Sequence, residues 1–164
     1  MCELVVDYDL PTNERIEAAK KALPWMIHLD SMVFRENEEE ECDIGTRRRF
    51  SLPIYGKRRF ECELFEFSEN TSERMIRYRM GQRGYIPANP VHLLAFAEQC
   101  FKDMPDFGEW HRYVIGLGGS LPTVLGSQFQ GMGTGTCFFF QHVCQTHPHT
   151  GGHNDRFLGV REID

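Results

Sequence analysis

Residues 126–155 read GSQFQGMGTGTCFFFQHVCQTHPHTGGHND, and they run directly into Arg156-Phe157-Leu158-Gly159-Val160-Arg161. The second run reads as an ordinary strand. The first has a vocabulary of its own. It holds four of the chain's seven histidines, three consecutive phenylalanines and two of the six cysteines, and it has no Lys, Arg or Glu. A solvated loop carries charge, and a half-buried strand alternates apolar with polar residues. This stretch does neither. It reads as a surface selected for contact, placed just before the chain locks back into its fold.

The rest of the chain sets the frame. At 164 residues, 41% hydrophobic and 26% charged, it is expected to form one domain, 1–164, with a sizeable core. A net charge of −6 argues against a dedicated nucleic-acid binder. No apolar run approaches the ~20 residues that span a bilayer. The start, Met1-Cys2-Glu3-Leu4-Val5-Val6-Asp7, lacks the basic and apolar regions of a signal peptide. Cys2, Cys42, Cys62, Cys100, Cys137 and Cys144 are irregularly spaced, with no Cys-x-x-Cys pair. A chain of this size needs no staples, so mostly reduced thiols and a cytoplasmic setting are expected.

Local signals predict alternating strands and helices. Leu4-Val5-Val6 starts a strand. Thr12 or Asn13 caps a helix with Ile16, Ala19 and Leu23 on one face, ended by Pro24. Trp25, Met26, Ile27 and Leu29 follow as expected core. Phe60, Cys62 and Leu64 alternate with Glu61 and Glu63, a half-buried strand whose phase shifts at Phe65 and Phe67, as a bulge would cause. Thr71 or Ser72 caps a short helix ending near Met80, with Gly81 as its left-handed terminator. Asn89-Pro90 opens another helix, with Leu93, Leu94, Ala97, Cys100 and Phe101 as its buried stripe. Tyr113-Val114-Ile115-Gly116-Leu117 reads as a core strand closed by Gly118-Gly119. The order is strand, helix, loop, strand, helix, helix, strand, irregular segment, strand: an α+β pattern.

Charge is clustered on both sides of the half-buried strand at Phe60–Leu64. Residues 36–43 are almost wholly acidic and lack the alternating ligands and turn glycine of a calcium loop, so they read as a solvated loop. Arg47-Arg48-Arg49, Lys57-Arg58-Arg59, Arg74, Arg77, Arg79 and Arg83 could form a phosphate-binding face. In an acidic chain they read better as partners of the nearby Glu run.

Three kinds of chemistry bear on 126–155 and the strand before it. His142 and Cys144 are two apart, as are His147 and His149, so either pair could present two metal ligands on an extended chain, with His153 as another. These spacings match no standard zinc module, and a metal-dependent enzyme or zinc-binding protein using 142–153 stands as the alternative. There is no Gly-x-Ser-x-Gly nucleophile elbow, and Gly116-Leu117-Gly118-Gly119-Ser120 lacks the Lys of a phosphate loop, so it reads as a turn. If one face of Phe138-Phe139-Phe140 is core, either Phe139 or the pair Phe138 and Phe140 faces out as an aromatic contact patch. The competing possibility is that loops cover all three.

The setting of the segment resembles a known family. Arg83-Gly84-Tyr85-Ile86-Pro87-Ala88-Asn89-Pro90-Val91-His92-Leu93-Leu94-Ala95-Phe96 is similar to a recurring Gly-Tyr-x-Pro-Ala…Leu-Leu-Ala-Phe block. Tyr113-Val114-Ile115-Gly116-Leu117-Gly118 resembles the Val-Ala-Leu-Gly strand that follows it, and Arg156-Phe157-Leu158-Gly159-Val160-Arg161 its closing Arg-Phe-Leu-Ala-Val-Arg. These runs look like those of the variable proteins of diversity-generating retroelements, which have a C-type lectin fold. In that family a reverse transcriptase copies a template with errors at adenines, and the copy replaces the end of the target gene. Asn codons then turn into codons that encode Phe, His, Cys, Thr, Gly and others, but not Lys, Glu, Gln, Met or Trp. Gln128, Gln130, Met132, Gln141 and Gln145 would be fixed scaffold, and the tryptophans of the family's variable stretch are not found here.

The resemblance implies a single-domain C-type-lectin-like α+β protein with two or more helices and a small, mostly antiparallel sheet. It implies a ligand-binding protein rather than an enzyme, with no cofactor, taking an unknown protein or other macromolecule as its ligand. The expected contact residues are Phe138, Phe140, His142, Cys144, His147, His149 and His153.

Overall fold

The computed structural model describes residues 2–22, 26–29, 55–67, 71–100, 112–118, 123–129, 136–142 and 155–164. In chain order the elements are β1 (Cys2–Asp7), α1 (Thr12–Ala22), β2 (Met26–Leu29), β3 (Lys57–Phe65), α2 (Glu73–Gln82), β4 (Ile86–Pro87), α3 (Pro90–Gln99), β5 (Arg112–Gly116), β6 (Thr123–Phe129), β7 (Thr136–His142) and β8 (Asp155–Ile163). The strands form one sheet in the order β1-β3-β8-β5-β6-β7-β2, with β4 added against β8. Among the described residues, β5 with β8 and β2 with β7 pair in parallel and the other pairings are antiparallel. The fold is mixed α+β. Among the described residues no helix is long and apolar enough to cross a membrane.

The sheet buries both faces. On one, Leu4, Val6, Phe60, Cys62, Val114, Leu125, Leu158 and Val160 pack with Ala19 of α1 and with α3. On the other, Phe65, Ile115 and Phe157 pack with Ile76 and Met80 of α2 and with Tyr85. Adjacent residues Phe157 and Leu158 therefore serve different cores, as strand alternation requires. Each large apolar side chain removed from water contributes ~1.5–3 kcal/mol, so these two clusters dominate the stability.

The same alternation corrects the expected bulge in β3. Its ladder with β8 runs without interruption from Arg59↔Ile163 to Phe65↔Phe157. Phe60 and Cys62 belong to one core and Phe65 to the other. The phase of the pattern changes because α2 covers the second face at that end, not because the strand slips. Toward the other end the same face carries Glu61 and Glu63, which are only partly buried.

Helices α2 and α3 have local causes for where they begin. Asn89 caps α3 by accepting from His92 N–H at 2.9 Å, while Asn89 N–H donates to His92 Nδ1 at 3.2 Å. This is a capping box with histidine in the place of the usual Glu or Gln. Residues 90–97 are all buried, so α3 is a central helix rather than a striped surface one. Ser72 caps α2 by accepting from Met75 N–H at 3.3 Å. Gly81 lies inside α2, and the left-handed residue is Gly84, at φ 77°. The helix closes there through Gly84 N–H to Gly81 O and Tyr85 N–H to Met80 O, both 3.0 Å.

Two further expectations change. The segment read as irregular contains the end of β6 and all of β7, because its Thr-Cys-Phe-Phe-Phe run is made of residues that suit a pleated surface. Cys2 and Cys100 are joined in a disulfide, with Cα atoms 6.6 Å apart, while Cys62 is free and buried. Irregular spacing concealed this pair, since only the packing of α3 on β1 brings residues so far apart together. Leu23, Pro24, Trp25, Phe101, the acidic run and Arg47-Arg48-Arg49 lie outside the described residues.

Candidate functional site

The segment 126–155 is anchored by β5, which lies between β6 and β8. On one side Tyr113 is the register partner of Gly126, and on the other it is the partner of Asp155. The first and last residues of the segment thus flank a single residue. With strands ~4.8 Å apart, the two ends of the segment lie roughly 10 Å apart, on either side of β5.

Within the segment, β7 is held on both sides. It pairs antiparallel with β6, from Thr123↔His142 to Phe129↔Thr136, and parallel with β2, through Met26↔Phe138, His28↔Phe139 and Leu29↔Phe140. Phe138, Phe140 and His142 form one alternation set of this strand; Cys137, Phe139 and Gln141 form the other. Phe140 is the register partner of Leu125, which is fully buried. Cys144, His147, His149 and His153 lie outside the described residues. The structure therefore brings Phe138, Phe140 and His142 onto one strand.

The floor beneath the anchor is built from close approaches. A Cβ on Gly118 would lie 2.5 Å from the Pro87 carbonyl oxygen, and Gly118 N–H donates to Ala88 O at 2.8 Å. Glycine is required there because two backbones touch. The expected turn at this position is also the contact that locks the end of β5 to the β4–α3 junction.

Arginines and carboxylates pair around the second core and across the sheet. Glu61 accepts from Tyr85 Oη at 3.0 Å and from the Arg161 guanidinium, which also lies 4.8 Å from the Tyr85 ring centroid. The Arg161 and Tyr85 hydrogen bonds hold the Glu61 carboxyl below its usual range. Arg83 pairs with Glu63 at 2.6 Å and lies over the Phe65 ring, and Arg156 pairs with Glu66 at 2.8 Å. Arg58 pairs with Glu162, Arg59 with Glu3 and Arg77 with Glu73. Among the described residues, these carboxylates come from β1, β3 and β8, from Glu66 just past β3, and from α2; the acidic run expected to pair with the arginines lies outside them.

Sequence reasoning overlooked His92. It is fully buried, and burial pushes its pKa down to about 3. Because Nδ1 accepts from Asn89 N–H, the neutral ring carries its proton on Nε2, which donates to Tyr8 Oη at 2.8 Å. The Asn89-x-x-His92 spacing was the available signal, since it is that of a capping box. Tyr8 is pushed up to about 12 by burial first and by the nearby Glu162 charge second.

A second grouping was also missed. The sulfurs of Cys2, Cys62 and Cys100 all lie within 4.8 Å of one another, at the opposite side of the sheet from β7. No protein family, characterised protein or solved structure matches the chain.

Proposed function

We propose that the chain is a ligand-binding protein that displays a diversified C-terminal surface on a C-type-lectin-like scaffold. The observation that carries the proposal is the pairing of Gly126 and Asp155 with the same residue, Tyr113. A segment whose ends are held on either side of one sheet residue can change its side chains without changing where its ends sit. The lack of Lys, Glu and Trp in 126–155 is consistent with substitution at adenines of a template.

Binding rather than catalysis follows from the same design. Phe138 and Phe140 would supply contact area. His142, Cys144, His147, His149 and His153 would supply adaptable polar contacts. The sheet limits the entropy lost on binding, because β7 is already fixed by β6 and β2.

The test is to sequence the DNA flanking the gene. The expected finding is a reverse transcriptase gene and a near-copy of the 3′ end of this gene, differing only where the copy carries adenine. Finding neither overturns the proposal.

A further inference from the structure

We infer that Cys2, Cys62 and Cys100 form a three-thiolate site for a thiophilic d10 cation when the Cys2–Cys100 disulfide is reduced. The site is a product of tertiary structure. Cys2 opens β1, Cys62 is its direct register partner on β3, and Cys100 caps the C-terminus of α3. A disulfide uses only two of these residues. The third, Cys62, is buried against the pair with its thiol free.

The spacing suits a metal. Thiolates at ~2.3 Å from a tetrahedral zinc ion lie about 3.8 Å from one another. The three sulfurs are already within 4.8 Å, so once the disulfide is reduced, Cys2 and Cys100 Sγ need only move apart by side-chain rotation for all three to surround one ion. The reduced state is also accommodated in place. The Glu3 carbonyl oxygen lies 3.5 Å from Cys2 Sγ and 3.8 Å from Cys100 Sγ, distances at which each thiol can donate to it. Cys62 and Cys100 are buried and Cys2 is partly exposed, so a fourth position opens toward solvent on the Cys2 side.

The electron balance needs a named partner. A dithiol or phosphine reductant supplies two electrons to the disulfide, which gives two thiols and the oxidised reductant. Metal binding then releases the protons of the thiols as they become thiolates. Among soft cations, a divalent ion leaves less uncompensated negative charge on three thiolates than a monovalent one, which favours zinc over monovalent copper. The disulfide and the metal site are thus two states of one cluster. It stands independently of the ligand-binding proposal, because β1 and β3 lie at the other side of the sheet from β7.

The test uses the full chain without an affinity tag. The protein is reduced under argon, freed of reductant and titrated with zinc against a chromophoric chelator, with monovalent copper as a second arm. Cobalt substitution provides a sulfur-to-cobalt charge-transfer band whose intensity reports the number of thiolates even if a variant folds poorly. The expected result is one tightly held ion per chain with three thiolates. Cys62→Ala should lose more than the ~10–100-fold in affinity that removing an outer partner of a ligand costs. Cys100→Ser should do the same, and His147→Ala should change nothing. Retention of copper but not zinc supports the three-thiolate site with the monovalent ion as occupant. No tight binding by the reduced protein, a cobalt band with fewer than three thiolates, or undiminished binding by Cys62→Ala overturns the inference.

Discussion

The Tyr8 hydroxyl lies 2.8 Å from His92 Nε2, joining the end of β1 to the first turn of α3. His92 is fully buried and already uses Nδ1 in the cap, so Tyr8 is the partner of its second ring nitrogen. Tyr8→Phe keeps the ring that stands edge-on to Phe60 and His92 and removes only the hydroxyl. A buried donor left without an acceptor costs ~1–3 kcal/mol. Thermal melting should fall by roughly 2–4 °C for each kcal/mol lost in a chain of this size. An unchanged melting temperature would show that the pair contributes nothing.

His92 also sets an acid limb. Its folded pKa is about 3, below the ordinary 6.5, so the unfolded chain binds the extra proton between those values. Stability is therefore intact above pH 6.5 and is lost progressively as the pH falls toward 3, by an amount on the order of a few kcal/mol. Glu61 adds to the loss further down: its depressed folded pKa gives stability that is present above its unfolded pKa and lost as pH falls through the folded one. His92→Gln keeps a capping side chain but cannot titrate. Urea melts across pH 3–7 should show a flatter profile for the variant in the His92 window. Identical profiles would contradict a buried neutral histidine.

Gly159 sits where the similar run Arg-Phe-Leu-Ala-Val-Arg has alanine. A Cβ at Gly159 would lie 2.7 Å from Phe65 Cε2 and 3.2 Å from Tyr85 Cβ. Gly159→Ala should therefore destabilise by ~1–3 kcal/mol through overpacking. Adding Phe65→Leu should recover part of the loss, since the two changes share one contact. If denaturant midpoints show Gly159→Ala to be neutral, the second core is looser than its ring contacts imply.

The Cys2–Cys100 link closes a loop with a sequence separation of 98. Restricting so long a loop in the unfolded chain is worth ~2–5 kcal/mol. Reduction, or Cys100→Ser, should lower the unfolding midpoint accordingly, as followed by circular dichroism. A midpoint that does not respond to reductant would mean that the thiols are not linked in solution.

Phe140 decides how far the contact surface reaches into β7. Its register partner Leu125 is fully buried, while His147 and His149 follow the strand. Under the proposed function, Phe140→Ser and His142→Ser weaken capture of a selected ligand with little change in melting temperature. His147→Ala with His149→Ala should weaken it with none. If Phe140→Ser and His142→Ser both unfold the protein, β7 is core and the contact list fails there.

The readable parts of the sequence were those with local causes. Asn89-Pro90 fixed the start of α3, Ser72 the start of α2, and the Phe60/Cys62/Leu64 alternation the body of β3, because caps and strand periodicity act over a few residues. Where a second layer intervened, the pattern misled. The apparent bulge at Phe65 is the arrival of α2 on the other face. Gly81 has the sequence position of a terminator, but Gly84 carries the left-handed turn.

By itself the sequence determined an α+β chain and an unusual charge-poor segment at 126–155. Only the tertiary structure decided that Gly126 and Asp155 flank Tyr113, and that Cys2, Cys62 and Cys100 meet. Strand order and the packing of α3 create both relationships. They depend on which surfaces bury one another, and no local spacing encodes that choice.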